Sequence, residues 1–208
     1  IKQEIGNGNS LRTSFAYTTK DFKIGKFNFA GSFKRSDGLI DQTSSKGFFY
    51  YLKWQKQFKD HIFSISAFGA PQEHDQRKYQ TGMAVYDKEF AADQGVNVES
   101  LEGGYGLTYN PNWGVYNNYQ VIFENGVATD TIRGENRYVN RFKNYYHKPN
   151  FNFQHLWNLN ENTSLTNVIY YSTGHGGGTG LHGGMLTYTP NNQIDFQNIF
   201  DVNHGNIW

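Results

Sequence analysis

The sequence is marked first by what it lacks. No cysteine occurs in its 208 residues, which leaves any compartment open and deprives the seven histidines of the thiolate partners that zinc sites favour. The formal net charge is only +1, and no basic stripe interrupts that balance, so the electrostatic case for binding nucleic acid is absent. No run approaches the roughly 18 consecutive apolar residues of a membrane-spanning helix. That shortage, with a mean hydropathy of −0.71, does not exclude a membrane, because spanning strands need an apolar residue only at every second position. The opening Ile1-Lys2-Gln3-Glu4 has no apolar core of the kind a signal peptide carries. The expectation is that a leader has been cleaved or that the segment starts inside a longer polypeptide.

What is abundant is aromatic. Phe and Tyr number 17 and 15, more than one soluble core of this size requires, and they recur with period two. Phe48, Tyr50, Leu52, Trp54 and Phe58 share one parity. After the polar turn Lys59-Asp60-His61, residues Phe63, Ile65, Ala67 and Gly69 share a face, with Ser64 and Ser66 opposite. Such alternation predicts an antiparallel hairpin of half-buried strands. Phe27, Phe29, Gly31 and Phe33 alternate with Asn28, Ala30, Ser32 and Lys34, and Leu11, Phe15 and Tyr17 form a weaker strand. A second large hairpin is expected from Phe151, Phe153, His155 and Trp157, turning at Asn160 to Asn162, although Val168 and Tyr170 blur the faces of its return strand. The predicted strands run about 10–19, 26–36, 47–58, 62–70, 145–158 and 163–173.

The connections between them alternate short and long. The long ones are a loop of about 71–144 and a glycine-rich loop of about 174–208, the latter opening with a run at Gly174 to Gly180 that is not expected to continue a strand. Within 71–144, Asp87 to Asp93 predicts a short helix capped by Asp87, and Tyr119 to Glu124 a short strand outside the main sheet. Weak strand candidates lie near Leu186 and Phe196. A soluble sandwich also alternates apolar and polar residues, but nothing in its physics sends every long loop to one end. A transmembrane barrel does so habitually. The expected fold is therefore all-β: an antiparallel transmembrane β-barrel segment with long extracellular loops, incomplete within this chain, since about six strands cannot close a barrel.

A set of spaced motifs carries a resemblance. Ser36-Asp37-Gly38-Leu39-Ile40-Asp41, Phe68-Gly69-Ala70-Pro71 with Gln72 to Arg77, Tyr109-Asn110-Pro111-Asn112-Trp113-Gly114, Asn144 to Pro149, and Gly174-His175-Gly176-Gly177-Gly178 together resemble the barrel region of TonB-dependent outer-membrane receptors of the Bacteroidetes type. The resemblance spans essentially the whole chain. It implies a 22-stranded barrel with an N-terminal plug and a TonB box; the plug, the TonB box and the remaining strands do not lie in these residues, so residues 1–208 would be an early segment of that barrel. The function it implies is active import of a nutrient or metal chelate across the outer membrane. The implied partners are outer-membrane lipid, the TonB complex acting through other parts of the protein, a small-molecule or oligomeric nutrient, and a surface lipoprotein; nucleic acid is not among them.

Candidate chemistry is sparse. His147 and His155 share parity but would lie about 26 Å apart on a regular strand, and His175 and His182 sit in glycine-rich sequence; no metal or other cofactor is expected. The Gly174 to Gly180 run lacks the Lys-Ser/Thr and helix of a phosphate loop. The pairs Asp37 with Asp41 and Glu99 with Glu102 have no nucleophile or histidine beside them, so no enzyme is expected. The polar cluster Gln72, Glu73, His74, Asp75, Gln76 and Arg77 is placed to bind a polar solute or, preferably, to order the loops. Trp113, Tyr116 and Tyr119 are aromatic ligand contacts or loop packing. The vestibule candidates are thus Gln72, His74, Gln76, Arg77, Trp113, Tyr116 and Tyr119. Two rivals remain: a surface-attached β-sandwich that binds carbohydrate, with the aromatic face as its dry core, and an outer-membrane hydrolase.

Overall fold

The computed structural model describes residues 1–78, 81–180 and 185–205. Its elements are β1 (Lys2–Gly6), β2 (Ser10–Thr18), β3 (Lys26–Ser36), β4 (Ser45–Phe58), β5 (His61–Gly69), β6 (Gln72–Asp75), α1 (Met83–Tyr86), α2 (Lys88–Asp93), β7 (Trp113–Glu124), β8 (Val127–Asn140), β9 (Lys143–His147), β10 (Asn150–Asn160), β11 (Thr163–Ser172), β12 (His175–Gly178) and α3 (Phe196–Gly205). The chain is all-β and antiparallel with few helices, and it divides into two compact units.

The first unit comprises Ile1–Gly38, Ser44–His74 and Asn144–Gly178. Its main path is a meander, β1-β2-β3-β4-β5-β10-β11, in which each strand pairs with the next. Among the described residues the sheet is open at β1 and β11, and no barrel closes. The register fixes the faces, because directly opposed residues point the same way. Phe29 lies opposite Tyr17 and Leu52, Phe33 opposite Phe48, Trp54 opposite Ile65, and Ile65 opposite Phe153, which in turn opposes Ile169. One largely aromatic and aliphatic face therefore runs across β2 to β11, interrupted near the turn ends of β5, β10 and β11 by the hydrogen-bonded His61, His155 and Asn167. The opposite face carries Ser14, Ser32, Lys53, Ser66, Asn152 and Thr166 in the same registers, with Phe49, Tyr51, Ile62, Phe68, Leu156, Val168 and Tyr170 as its large apolar members.

The aromatic face is not covered. Phe33 is 47% exposed, Phe151 48% and Ile169 66%. Among the described residues, every buried apolar side chain belongs to the second unit: Ala84, Ala91, Tyr109, Phe142, Ile194 and Phe196.

Several expectations need correction. Residues Lys2–Gly6 form an edge strand whose patterning is too short to stand out. Its turn at Asn7 to Asn9 is tight yet lies at the same end of the sheet as the long loops, so the alternation of short and long connections has an exception. The strand expected over 145–158 is two strands, β9 and β10, broken at Lys148-Pro149, where proline cannot donate to a ladder. His147 and His155 accordingly lie on different strands. The glycine run does continue as a strand: β12 pairs with β9 from His175 opposite His147 to Gly178 opposite Asn144. Close approach explains the glycines, since a Cβ at Gly176 would stand 2.7 Å from the Tyr145 carbonyl oxygen and one at Gly177 2.9 Å from the Tyr145 hydroxyl. β6 pairs with both β4 and β9, so β5, β10 and β11 each resume beyond a break as β6, β9 and β12. Pro71 and Pro149 mark two of those breaks.

The second unit comprises Leu39–Thr43, Asp75–Lys143 and Thr179–Trp208. The long loop is therefore structured. Its dominant element is the hairpin β7–β8, from Trp113 opposite Asn140 to Glu124 opposite Val127, with Asn125 and Gly126 at positive φ in the turn. The strand expected at Tyr119 to Glu124 is the end of the 12-residue β7. Asp87 caps α2 as expected, its carboxylate accepting from the Phe90 N–H at 2.9 Å. Phe196 begins a helix rather than a strand, and near Leu186 only a Tyr188–Ile194 bridge forms. No helix among the described residues is long and apolar enough to cross a membrane, which has no bearing on strands.

Candidate functional site

The vestibule candidates divide between the two units. Gln72 and His74 lie on β6 in the first, opposite Gly47 and Ser45 of β4. Beside them Glu73 meets Lys46 with 3.2 Å between Oε1 and Nζ. A cavity of about 340 Å³ opens here, lined by Phe33, Phe48, Gln72, Tyr145, His147 and His175 among others. His175 thus faces a built cavity, while His182 falls outside the described residues. Among the described residues no cluster of three or more His, Asp or Glu is arranged to hold a metal.

Arg77 lies in the second unit and is a tie between loop segments. Its Nη1 donates to the carbonyls of Leu107 at 2.9 Å and Tyr109 at 2.8 Å, and its guanidinium sits 4.9 Å from the Tyr86 ring centre. Gln76, half-buried, precedes it in the same unit. Two neighbouring asparagines extend the lattice of ties. Asn110, fully buried, donates through Nδ2 to the Asp41 carbonyl at 2.8 Å and accepts from the Asn112 N–H at 3.0 Å; Asn112 in turn accepts from the Lys78 N–H at 3.1 Å. Buried side-chain amides hold backbone groups that have no ladder to join.

The aromatic candidates pack within the same unit. Tyr116 stacks on Phe200 of α3 at 5.1 Å, and Tyr119 meets Phe200 at 5.5 Å and His204 at 4.8 Å edge to face. The helix is keyed to β7 by Gln197, whose side-chain amide accepts from the Asn117 N–H at 2.7 Å and donates to its carbonyl at 3.3 Å. Burial, then the Asp201 carboxylate, raises the Tyr119 phenol above its ordinary pKa, so it stays protonated. Trp113 stacks on Tyr138 at 6.3 Å and borders a cavity of about 170 Å³ with Gln42, Asp75 and Lys143. Its buried indole N–H has no hydrogen-bond partner among the described residues.

A second cavity of the loop unit, about 350 Å³, was not anticipated. Thr81, Tyr109, Asn112, Arg141, Tyr188 and Asn192 line it. They come from four separate stretches of chain, so neither periodicity nor spacing brings them together on paper; the Asn110-Pro111-Asn112 turn was the one visible clue. The Tyr109 phenol is pushed up to about 12 by burial, with Tyr105 and Tyr86 adding to it, and its hydroxyl donates to the Asn191 carbonyl.

No protein-family model matches the chain, and no curated protein or solved structure matches it.

Proposed function

We propose that the chain is a wall-and-vestibule segment of an outer-membrane transporter that imports a nutrient or metal chelate with energy supplied through TonB. The observation that carries the membrane part is the meander in which one aromatic face is exposed over every strand from β2 to β11 while the unit has no buried apolar side chain among its described residues. Leaving a large apolar side chain in water forgoes roughly 1.5–3 kcal/mol. A face this extensive therefore needs an apolar neighbour. Lys46 and Lys56 bracket the apolar run of β4 on that face and stand ten positions apart. That is about 34 Å along a strand, or about 26 Å of height at a tilt of about 40°, close to the apolar band of an outer-membrane barrel.

The sandwich reading is less well supported. Sandwich chains switch between two facing sheets through Greek-key connections, whereas these seven strands follow one another in a single sheet. The open edges at β1 and β11 would be paired by strands beyond this segment, because unpaired edges are not tolerated in hydrocarbon. The narrower assignment, import coupled to TonB, rests on the motif resemblance. The loop unit, with its own buried residues and cavities, is the part suited to contact a solute.

Uptake and binding by the full-length protein separate the possibilities. Equilibrium binding to cells should survive de-energising the inner membrane, and accumulation should stop. Full accumulation in de-energised cells would contradict the assignment.

A further inference from the structure

The 350 Å³ cavity of the loop unit has a lining with a definite chemical bias. Arg141 is the one charged residue among the described residues that line it, and its guanidinium carbon is held 4.8 Å from the centre of the Phe142 ring. Its backbone is pinned beside the cavity by the N–H bond to the Asn112 carbonyl at 2.7 Å. The other polar groups are neutral and of mixed donor and acceptor character: Thr81, Asn112, Tyr188 and Asn192. The hydroxyl of Thr81 is buried and has no hydrogen-bond partner among the described residues, so a bound group would supply the bond it lacks. Tyr109 and Pro111 supply flat apolar wall. The phenol of Tyr109 brings no competing negative charge, since it is held protonated by burial.

We infer that this cavity binds a small hydroxylated ring bearing a carboxylate, with Arg141 receiving the carboxylate, Thr81 and the two asparagine amides the ring hydroxyls, and Tyr109 with Pro111 the ring face. A guanidinium matches a carboxylate in a paired, charge-assisted geometry, and a cavity near the small end of the usual range suits one ring rather than a chain of them. The inference rests on the importer reading only for its biological use, because binding is measured without transport.

The test uses the full-length protein in detergent, titrated by calorimetry with galacturonate and with galactose, which share a ring and differ in the carboxylate. Galacturonate should bind at least about tenfold more tightly. Arg141→Gln should erase that preference, and Arg141→Lys should keep part of it. Thr81→Val should weaken both sugars by about the same factor, with the protease-resistance pattern of the loops unchanged. Equal affinity for the two sugars, no binding of either, or a preference that survives Arg141→Gln would overturn the inference. A preserved preference in a protein that does not fractionate with the outer membrane would sink the importer reading alone.

Discussion

The hydroxyl of Tyr50 on β4 lies 2.9 Å from Nε2 of His147 on β9, with the two rings edge to face at 5.7 Å, and this bond passes directly over Gly69. A Cβ at Gly69 would stand 2.5 Å from the Tyr50 hydroxyl and 2.8 Å from the imidazole nitrogen. The glycine is what lets a residue of β4 reach across β5 to the continuation of β10. Gly69→Ala should therefore cost about 1–3 kcal/mol through overpacking, while Tyr50→Phe, which removes only the bond, should cost about 1 kcal/mol. Heat resistance of the folded band on unheated gels reads both, and an Ala variant as resistant as the parent would contradict the geometry.

Face assignment gives a second prediction. Phe29 lies on the aromatic face between Tyr17 and Leu52, and Asn28 on the other between Thr18 and Lys53. Phe29→Arg should destabilise by about 2–4 kcal/mol near the midplane of a bilayer. Asn28→Arg loses the 2.8 Å bond from the Thr18 hydroxyl and gains a like-charge neighbour in Lys53, a total near 1 kcal/mol. Equal losses in a membrane-folding titration would rule out the lipid-facing assignment.

Arg77 provides a third. With both its carbonyl bonds and the Tyr86 contact removed, Arg77→Ala should loosen the segments around Tyr86 and Leu107 together, at a cost on the order of 2 kcal/mol. Lysine should not rescue it, because one ammonium cannot reproduce the planar contact. Limited proteolysis should show new cleavage in both segments at once. Cleavage confined to the substituted loop would mean that Arg77 does not join them.

The sheet was legible and the loop unit largely was not, for a physical reason visible in the residues. Strands such as β3 and β5 carry an aromatic or aliphatic face and a small or polar one, so Phe27 to Phe33 and Phe63 to Gly69 alternate, and the expected bounds of 26–36 match β3. β8 is exposed along nearly its whole length, and a strand with no face to bury carries no period. The signal that does locate its hairpin is the turn, since Asn125 and Gly126 take φ of 51° and 79°, the chemistry a two-residue hairpin demands. The glycine strand β12 was hidden for a different reason: its pairing depends on the Tyr145 ring lying over Gly177, a tertiary contact with no local trace. Of the aromatic candidates, spacing identified Trp113, Tyr116 and Tyr119 as a cluster, but not that α3 would cover Tyr116 and Tyr119. The cavity at Arg141 needed the fold to assemble it.

The central claim is that lipid meets one face of the sheet and water the other, and site-directed labels along the strands measure it directly. Single cysteines placed in the full-length protein at Phe29, Ile65 and Ile169, and at Asn28, Ser66 and Thr166, can each carry a nitroxide label in lipid vesicles. The account predicts that the first three are relaxed mainly by oxygen dissolved in the bilayer and the second three mainly by a water-soluble nickel chelate. Loss of that alternation, or six labels all open to the chelate, would contradict it.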